Sequence, residues 1–449
     1  MNNKRIDLKI SFRNYYLGKK RFFNALFIGT LSAVTSQGLN FIVIILITRE
    51  LGTEYMGRFS IIQSTVMMLL TFGIIGQNVS ATVLTSRFKK RYPNQLGYLL
   101  GNSYLISFFM ATLVGLFTFC TANHFFKEIF IESVPPFLSL FLVVAWFCFM
   151  TFDMMQVSIL IGMEVYRDLI KTDLIKGLFA IIAIFPLSVH FELLGVIVGY
   201  TVVNFLGVGI NQWFIRRRLK ELHVKIKFEP NLRMIRHILN IGLPIFIASV
   251  FMSPTNWGTN KIIFNADNGP VALGVVFVCR QILILIQFFP AQISRVLLPI
   301  IAENNNDAEE ATIKKISLGL SLLICICLAL AALFFENTIF SMYNLNGEIA
   351  KWPFRIILIT VLFATSNLIL GQFIIAGKNP WIRTYADIAL SVTMLILTLV
   401  LVNLNTFLAL PLAMLFSFIA SNIVLLYFII YRHNTSSTFN ILKQITKKR

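Results

Sequence analysis

The sequence predicts an all-α polytopic membrane protein: twelve transmembrane helices in two six-helix lobes, with both termini cytosolic. Composition, the recurrence of apolar runs and the sidedness of charge predict it. Hydrophobic residues make up 57% of the 449, mean hydropathy is +0.77 and only 13% of residues are charged, against roughly 25% in soluble domains. Apolar runs near the ~20 residues that cross a bilayer recur along the chain. Of its 39 Lys and Arg, 31 fall in the segments that an inward N-terminus makes cytosolic, and five fall outside. Short cytoplasmic loops collect positive charge, so this split fixes the orientation.

Residues 1–22 are a basic N-terminal segment with seven Lys and Arg, expected to lie along the anionic inner leaflet. The apolar run behind it is too long for the core of a signal peptide. The N-lobe, 23–214, carries spans at 23–48, 59–77, 98–119, 136–160, 174–189 and 193–214, the fifth being short. Residues 215–237, IRRRLKELHVKIKFEPNLRMIRH, are the longest connection and a basic cytosolic linker. The C-lobe, 238–431, follows with spans at 238–257, 271–298, 316–335, 353–376, 384–402 and 407–430, and 432–449 is a basic cytosolic tail. The net charge of +19 thus follows from topology, and no nucleic-acid partner is implied. An even number of spans per half makes the two halves parallel repeats. A weak echo supports this: a glycine-containing approach, Leu51–Phe59, leads into span 2, and another, Pro270–Gly274, leads into span 8.

Several function classes fall away. The five cysteines and five histidines are scattered without metal-ligand or disulfide spacing, and no nucleotide-binding or hydrolase motif occurs in its proper context. No cofactor is expected. The largest outward loop, about 336–352, holds 17 residues, too few for a catalytic domain, so the chain is not expected to be an enzyme.

Span 8 carries the most informative residues. Arg280 and Arg295 both lie within its apolar run, and on a helical wheel they share a face with Gln287 and Ser294. Cations in hydrocarbon are costly and normally face a bundle interior or an aqueous path. A cationic stripe in a membrane helix therefore suggests passage of an anion. The alternative for Arg280 is a structural ion pair with an acid such as Asp153. For Arg295, nearer the cytosol, it is interfacial anchoring.

Arg49, Arg58 and Lys261 sit at outer helix ends, as an exit-side rim or as interface anchors; Arg355, beside Trp352, reads as an anchor. Gln37 and Asn40, with Ser32 and Ser36, give span 1 a polar face. Asp153 in span 4 and Asp387 in span 11 are rare intramembrane acids. Each is a candidate for ion coupling, with pairing to a facing arginine, or to Arg383 one turn away, as the alternative.

Motifs along most of the chain, in order, resemble the polysaccharide-exporter branch of the multidrug/oligosaccharidyl-lipid/polysaccharide superfamily. They are RELGTEYMGRFS (49–60), QVSILIGMEVYRD (156–168), GLPIFIASVFMSPTNW (242–257), the span 8 sequence from Leu273 to Glu303, and FIIAGKN (373–379). The resemblance implies two six-helix lobes around a central cavity that opens alternately to each side. It also implies a Wzx-type flippase in the bacterial cytoplasmic membrane, moving an undecaprenyl-pyrophosphate-linked oligosaccharide outward for O-antigen or capsule synthesis. The partners it implies are that lipid-linked oligosaccharide, membrane lipids and polysaccharide polymerase machinery. Twelve spans rather than fourteen favour the oligosaccharide branch over the lipid II flippases. The chemistry agrees, because a guanidinium fork suits pyrophosphate oxygens. Two alternatives stand beside it: a multidrug or small-molecule exporter of the same superfamily, and a membrane glycosyl-polymerase. A drug exporter would be expected to carry acidic cavity faces for cations, and a polymerase a large outward loop.

Overall fold

A computed structural model describes the backbone of residues 2–127, 135–303, 307–376 and 380–446. It describes the side chains of 37–127, 135–247, 249–292, 315–374 and 381–429. The elements are α1 (Asn2–Ile74), α2 (Gln77–Arg91), α3 (Pro93–Phe125), α4 (Pro136–Gly162), α5 (Tyr166–Glu221), α6 (Leu232–Phe264), α7 (Gly269–Glu303), α8 (Asp307–Phe334), α9 (Glu336–Met342), α10 (Gly347–Ala376), α11 (Pro380–Leu401) and α12 (Thr406–Thr446). No strand occurs among the described residues.

These helices are apolar on the outside and small or polar on the inside. On α3, Asn102, Ser103, Ser107, Ala111, Gly115, Thr118 and Ala122 are buried, while Phe108, Phe109, Leu113, Leu116 and Phe117 are exposed. On α8, Ser317, Ser321 and Cys325 point in, and Ile316, Leu320, Leu323 and Leu330 point out. Water would reject such a surface. Lipid accepts it, and small inward residues let helices pack closely where no hydrophobic effect drives them together. Among the described residues nine helices are long and apolar enough to cross a membrane, or ten if Leu232–Ile247 and Ser249–Phe264 form one span. The chain is a multi-pass membrane protein.

Two long helices each carry two of the expected spans. The 38 described residues of α1, Gln37–Ile74, would reach about 57 Å if straight, nearly twice the ~30 Å hydrocarbon core. Gly52, at φ 83° and ψ 177°, breaks them. The 56 residues of α5 break at Glu192 (φ 48°). Gly199 then packs on Ile184, and Gly195 on the carbonyl of Leu187. These pairings run antiparallel, so the chain reverses at Glu192 and the short fifth span is half of a tight helical hairpin.

Some expected boundaries move. The chain expected to be loop after span 2 is helical: a left-handed pair, Ile75 and Gly76, interrupts the run, and α2 continues to Arg91. The basic linker is partly helical as well, because α5 extends to Glu221 and α6 begins at Leu232. Its irregular middle is strapped to α3. Lys227 N donates to Gly97 O (3.1 Å), Asn102 Nδ2 donates to Glu229 O (3.1 Å), and Asn231 N donates to Asn102 Oδ1 (2.9 Å). Helices outlast apolar runs because their hydrogen bonds are internal and persist into the polar interface.

The chain divides into two compact units, one of Met1–Ile44 with Leu69–Phe246, the other of Ile45–Met68 with Ile247–Arg449. In the first, α4 packs against α2, α3 and α5. In the second, α10 packs against α7, α8, α11 and α12. The central helices are thus the fourth and the tenth expected spans. The end of span 1 and the start of span 2, Ile45–Met68, belong to the second unit. There the two echoing glycine approaches meet: Gly57 lies against the backbone of Pro270, and Gly274 against that of Thr53. A Cβ at either glycine would overlap the opposing carbonyl. Both positions thus need glycine for close backbone approach.

Candidate functional site

Arg280 stands midway along the apolar run Gly269–Gln292 of α7, about 16 Å from Gly269 along the axis. Val275, Val276, Val278, Cys279, Ile282 and Leu283 around it are buried, whereas Arg280 is partly exposed. It has no hydrogen-bond or ion-pair partner among the described residues. Gln287, two turns on and on the same face, is also partly exposed and without such a partner. The side chain of Arg295 lies outside the described residues.

The cations expected at the outer rim are differently placed. Lys261 sits over the ring of Trp257, 5.0 Å from its centroid, and Trp257 Nε1 donates to Thr65 Oγ1 (3.0 Å). Arg58 pairs with Glu54 one turn away (3.2 Å). Arg49 is exposed. All three belong to the second unit with Arg280, although Arg49 and Arg58 precede the linker in sequence. Arg355 does more than anchor: its Nε pairs with Glu336 at 3.0 Å, and its guanidinium lies over Trp352 at 5.9 Å.

In the first unit Asp153 is buried, and its partner is a lysine. Lys176 Nζ donates to Asp153 Oδ2 at 2.6 Å, and Asn211 Nδ2 donates to Oδ1 at 3.0 Å. This answers the expectation of an arginine partner, Arg280 included. Lys176, counted by sequence among the cytosolic charges, turns inward near the start of its span. Gly207 makes room, since a Cβ there would strike both members of the pair.

Above this pair Gln156 Nε2 donates to Gln212 Oε1 (3.0 Å) and to Tyr104 Oη (3.3 Å), and Tyr104 Oη donates to Gln212 Oε1. Gln156 opens the motif QVSILIGMEVYRD, and the Asn211-Gln212 dipeptide inside an apolar span is a second sequence signal for this network. Elsewhere in the unit, Tyr200 Oη donates to Asn40 Oδ1 (3.3 Å), and the ring of Tyr200 stacks on Trp146. Gln37 is exposed without a partner among the described residues.

The second unit has a counterpart. Arg383, at the start of the eleventh expected span as Lys176 is at the start of the fifth, pairs with Asp387 (Nη2 to Oδ1, 2.9 Å) and donates from Nη1 to Asn367 O (2.9 Å). That is the i,i+4 pairing expected for Asp387. Gly371 admits the guanidinium, because a Cβ there would collide with Nη1. Asn367 in turn donates from Nδ2 to Ser421 Oγ (2.7 Å). Neither Arg383 nor Asn367 breaks an apolar run conspicuously, so the sequence marks Arg383 only as a partner for Asp387 and does not mark Asn367. Among the described residues no group of His, Cys, Asp and Glu is arranged to hold a metal ion.

Each of the two units holds a charged pair among its long apolar helices, and the fold is that of the MATE-like transporters. It is similar, at TM-score 0.72 and 14% identity, to a multidrug resistance MATE family transporter of the MOP superfamily in its inward-facing conformation, over 91% of this chain and 98% of that one. It is similar at TM-score 0.66 and 14% identity to a MOP superfamily transporter from Pyrococcus furiosus, over 92% and 95%; the reverse polarity of that protein's binding pocket is described as suggesting a different function. At such identities the likeness is one of fold. Residues 24–305 match the family of polysaccharide biosynthesis proteins, and the chain belongs to that family, within the multidrug/oligosaccharidyl-lipid/polysaccharide superfamily. No curated protein matches the chain.

Proposed function

We propose that this protein is a flippase that moves an undecaprenyl-pyrophosphate-linked oligosaccharide from the inner to the outer leaflet of a bacterial cytoplasmic membrane. It does so through twelve spans with both termini cytosolic, by alternating access and without enzymatic chemistry. The observation that carries this reading is Arg280, a partly exposed cation at mid-span without a partner among the described residues. Holding a guanidinium there is costly unless water or an anion meets it. The pyrophosphate is the part of the cargo that hydrocarbon rejects most strongly, and Arg280 offers it a bidentate fork part of the way across. The polysaccharide-biosynthesis family supports a saccharide cargo.

The MATE-like fold by itself fits drug export equally well, because one fold hosts several cargoes. A cation without a partner among the described residues favours an anionic cargo over the cationic drugs of that alternative. The test is reconstitution in vesicles with a fluorescent lipid-linked oligosaccharide, scored by its exposure in the outer leaflet. The native chain should expose it, and Arg280→Ala should not. Equal exposure by Arg280→Ala, correctly folded, removes Arg280 as the phosphate contact.

A further inference from the structure

The second unit holds a cleft of about 270 Å³ among α7, α10, α11 and α12, lined in part by Gln287, Asn367, Gln372, Arg383 and Phe418. We infer that this cleft is a subsite for an uncharged, polyhydroxylated ring, a sugar residue of the cargo, and not for its phosphates. The inference rests on the transport of a lipid-linked saccharide proposed above.

Charge decides first. Arg383 looks like an anion site but is already neutralised: Nε and Nη2 are on the carboxylate of Asp387, at 3.2 and 2.9 Å, and Nη1 is on Asn367 O. Asp387 is itself buried. A phosphate entering here would have to displace that carboxylate or sit beside it, like charge against like.

Hydrogen-bonding capacity decides next. Gln287 and Gln372 are both partly exposed and have no partner among the described residues. Each amide offers two N–H donors and a carbonyl acceptor. A hydroxyl both donates and accepts, so it satisfies either end of an amide. A fully ionised phosphate oxygen only accepts, and would leave the two amide carbonyls unmatched. Phe418 adds a partly exposed ring, and the faces of a pyranose carry C–H groups that rest on an aromatic surface while the hydroxyls at its rim reach the amides. The volume lies below the roughly 300–1,000 Å³ of sites for drug-sized ligands, a scale suited to one sugar ring.

The direct experiment places p-benzoylphenylalanine at Gln372 of the full chain in proteoliposomes. One set of vesicles contains the lipid-linked saccharides extracted from cells that make the protein, the other sugar-free undecaprenyl pyrophosphate. Photo-adducts are identified by mass. Adducts should carry sugar in the first set and be absent from the second. Equal labelling by the sugar-free lipid, or labelling by neither, overturns the assignment.

Because a bulky group at Gln372 disturbs packing, Gln287→Leu and Gln372→Leu supply an independent measurement. Each should lower transport of the saccharide lipid at least tenfold while binding of sugar-free undecaprenyl pyrophosphate stays native. If the native chain transports the saccharide lipid and both variants match it, the sugar subsite alone is wrong. If the native chain does not transport it, the transport reading itself is wrong.

Discussion

Three charged positions differ in how they are balanced, and each difference predicts a different variant. Arg280 has no partner among the described residues, so removing it leaves no orphaned charge there. Arg280→Ala should therefore keep native abundance in the membrane while transport is lost. Arg280→Lys should keep partial transport, since the charge remains and the planar fork does not.

Asp153 and Lys176 behave oppositely, because their side chains are 7% and 18% exposed and each balances the other. Lys176→Ala strands a buried carboxylate and should destabilise the protein by about 3–5 kcal/mol, read as lost abundance and a lower detergent Tm. The double variant Asp153→Asn, Lys176→Met should recover both. If its transport keeps the native dependence on an imposed proton or sodium gradient, the pair is architectural and coupling resides elsewhere.

At the scale of elements, a close backbone contact of the second unit is the crossing of residues 53–57 with 270–274. Backbones meet there because Gly57 and Gly274 each lack a Cβ where the other strand of chain passes. Gly57→Ala and Gly274→Ala should each cost about 1–3 kcal/mol by overpacking, seen as a drop in detergent Tm. Gly209→Ala, on α5 with open space around it, should be neutral or slightly stabilising. A crossing that tolerated both substitutions would mean that these helices do not pack at this distance. The two central helices make the same point about the repeat. Each of α4 and α10 stands beside a helix, α5 or α11, that turns a cation inward near the start of an expected span.

For the whole molecule, the sidedness of charge predicts a topology that thiol labelling tests. In a cysteine-free background, Leu404→Cys and Glu348→Cys, both exposed, should react with an impermeant reagent from outside the cell. Asn94→Cys, also exposed, should react only after permeabilisation. The neighbouring Asn346 and Asn405 are better left intact, because their side chains accept the first amides of α10 and α12 and cap them. Outside labelling of Asn94→Cys would reverse the orientation drawn from the 31-to-five split of positive charge.

By itself the sequence determined the solvent, the helical class, the location of most spans and the presence of Arg280 inside one of them. Each of these follows from a local property: a run of apolar residues long enough for a bilayer, or a charge inside one. It also contained the Arg383–Asp387 pair, since residues four apart on a helix are neighbours by geometry alone. Only the tertiary structure decided that Asp153 faces Lys176 and not an arginine, that residues 45–68 pack with the second unit, and that Gln287 and Gln372 share a cleft with Arg383. Those are contacts between segments distant in the chain. In lipid they are chosen by the fit of small residues and by the need to partner each buried polar atom, and the sum of the whole packed unit sets them.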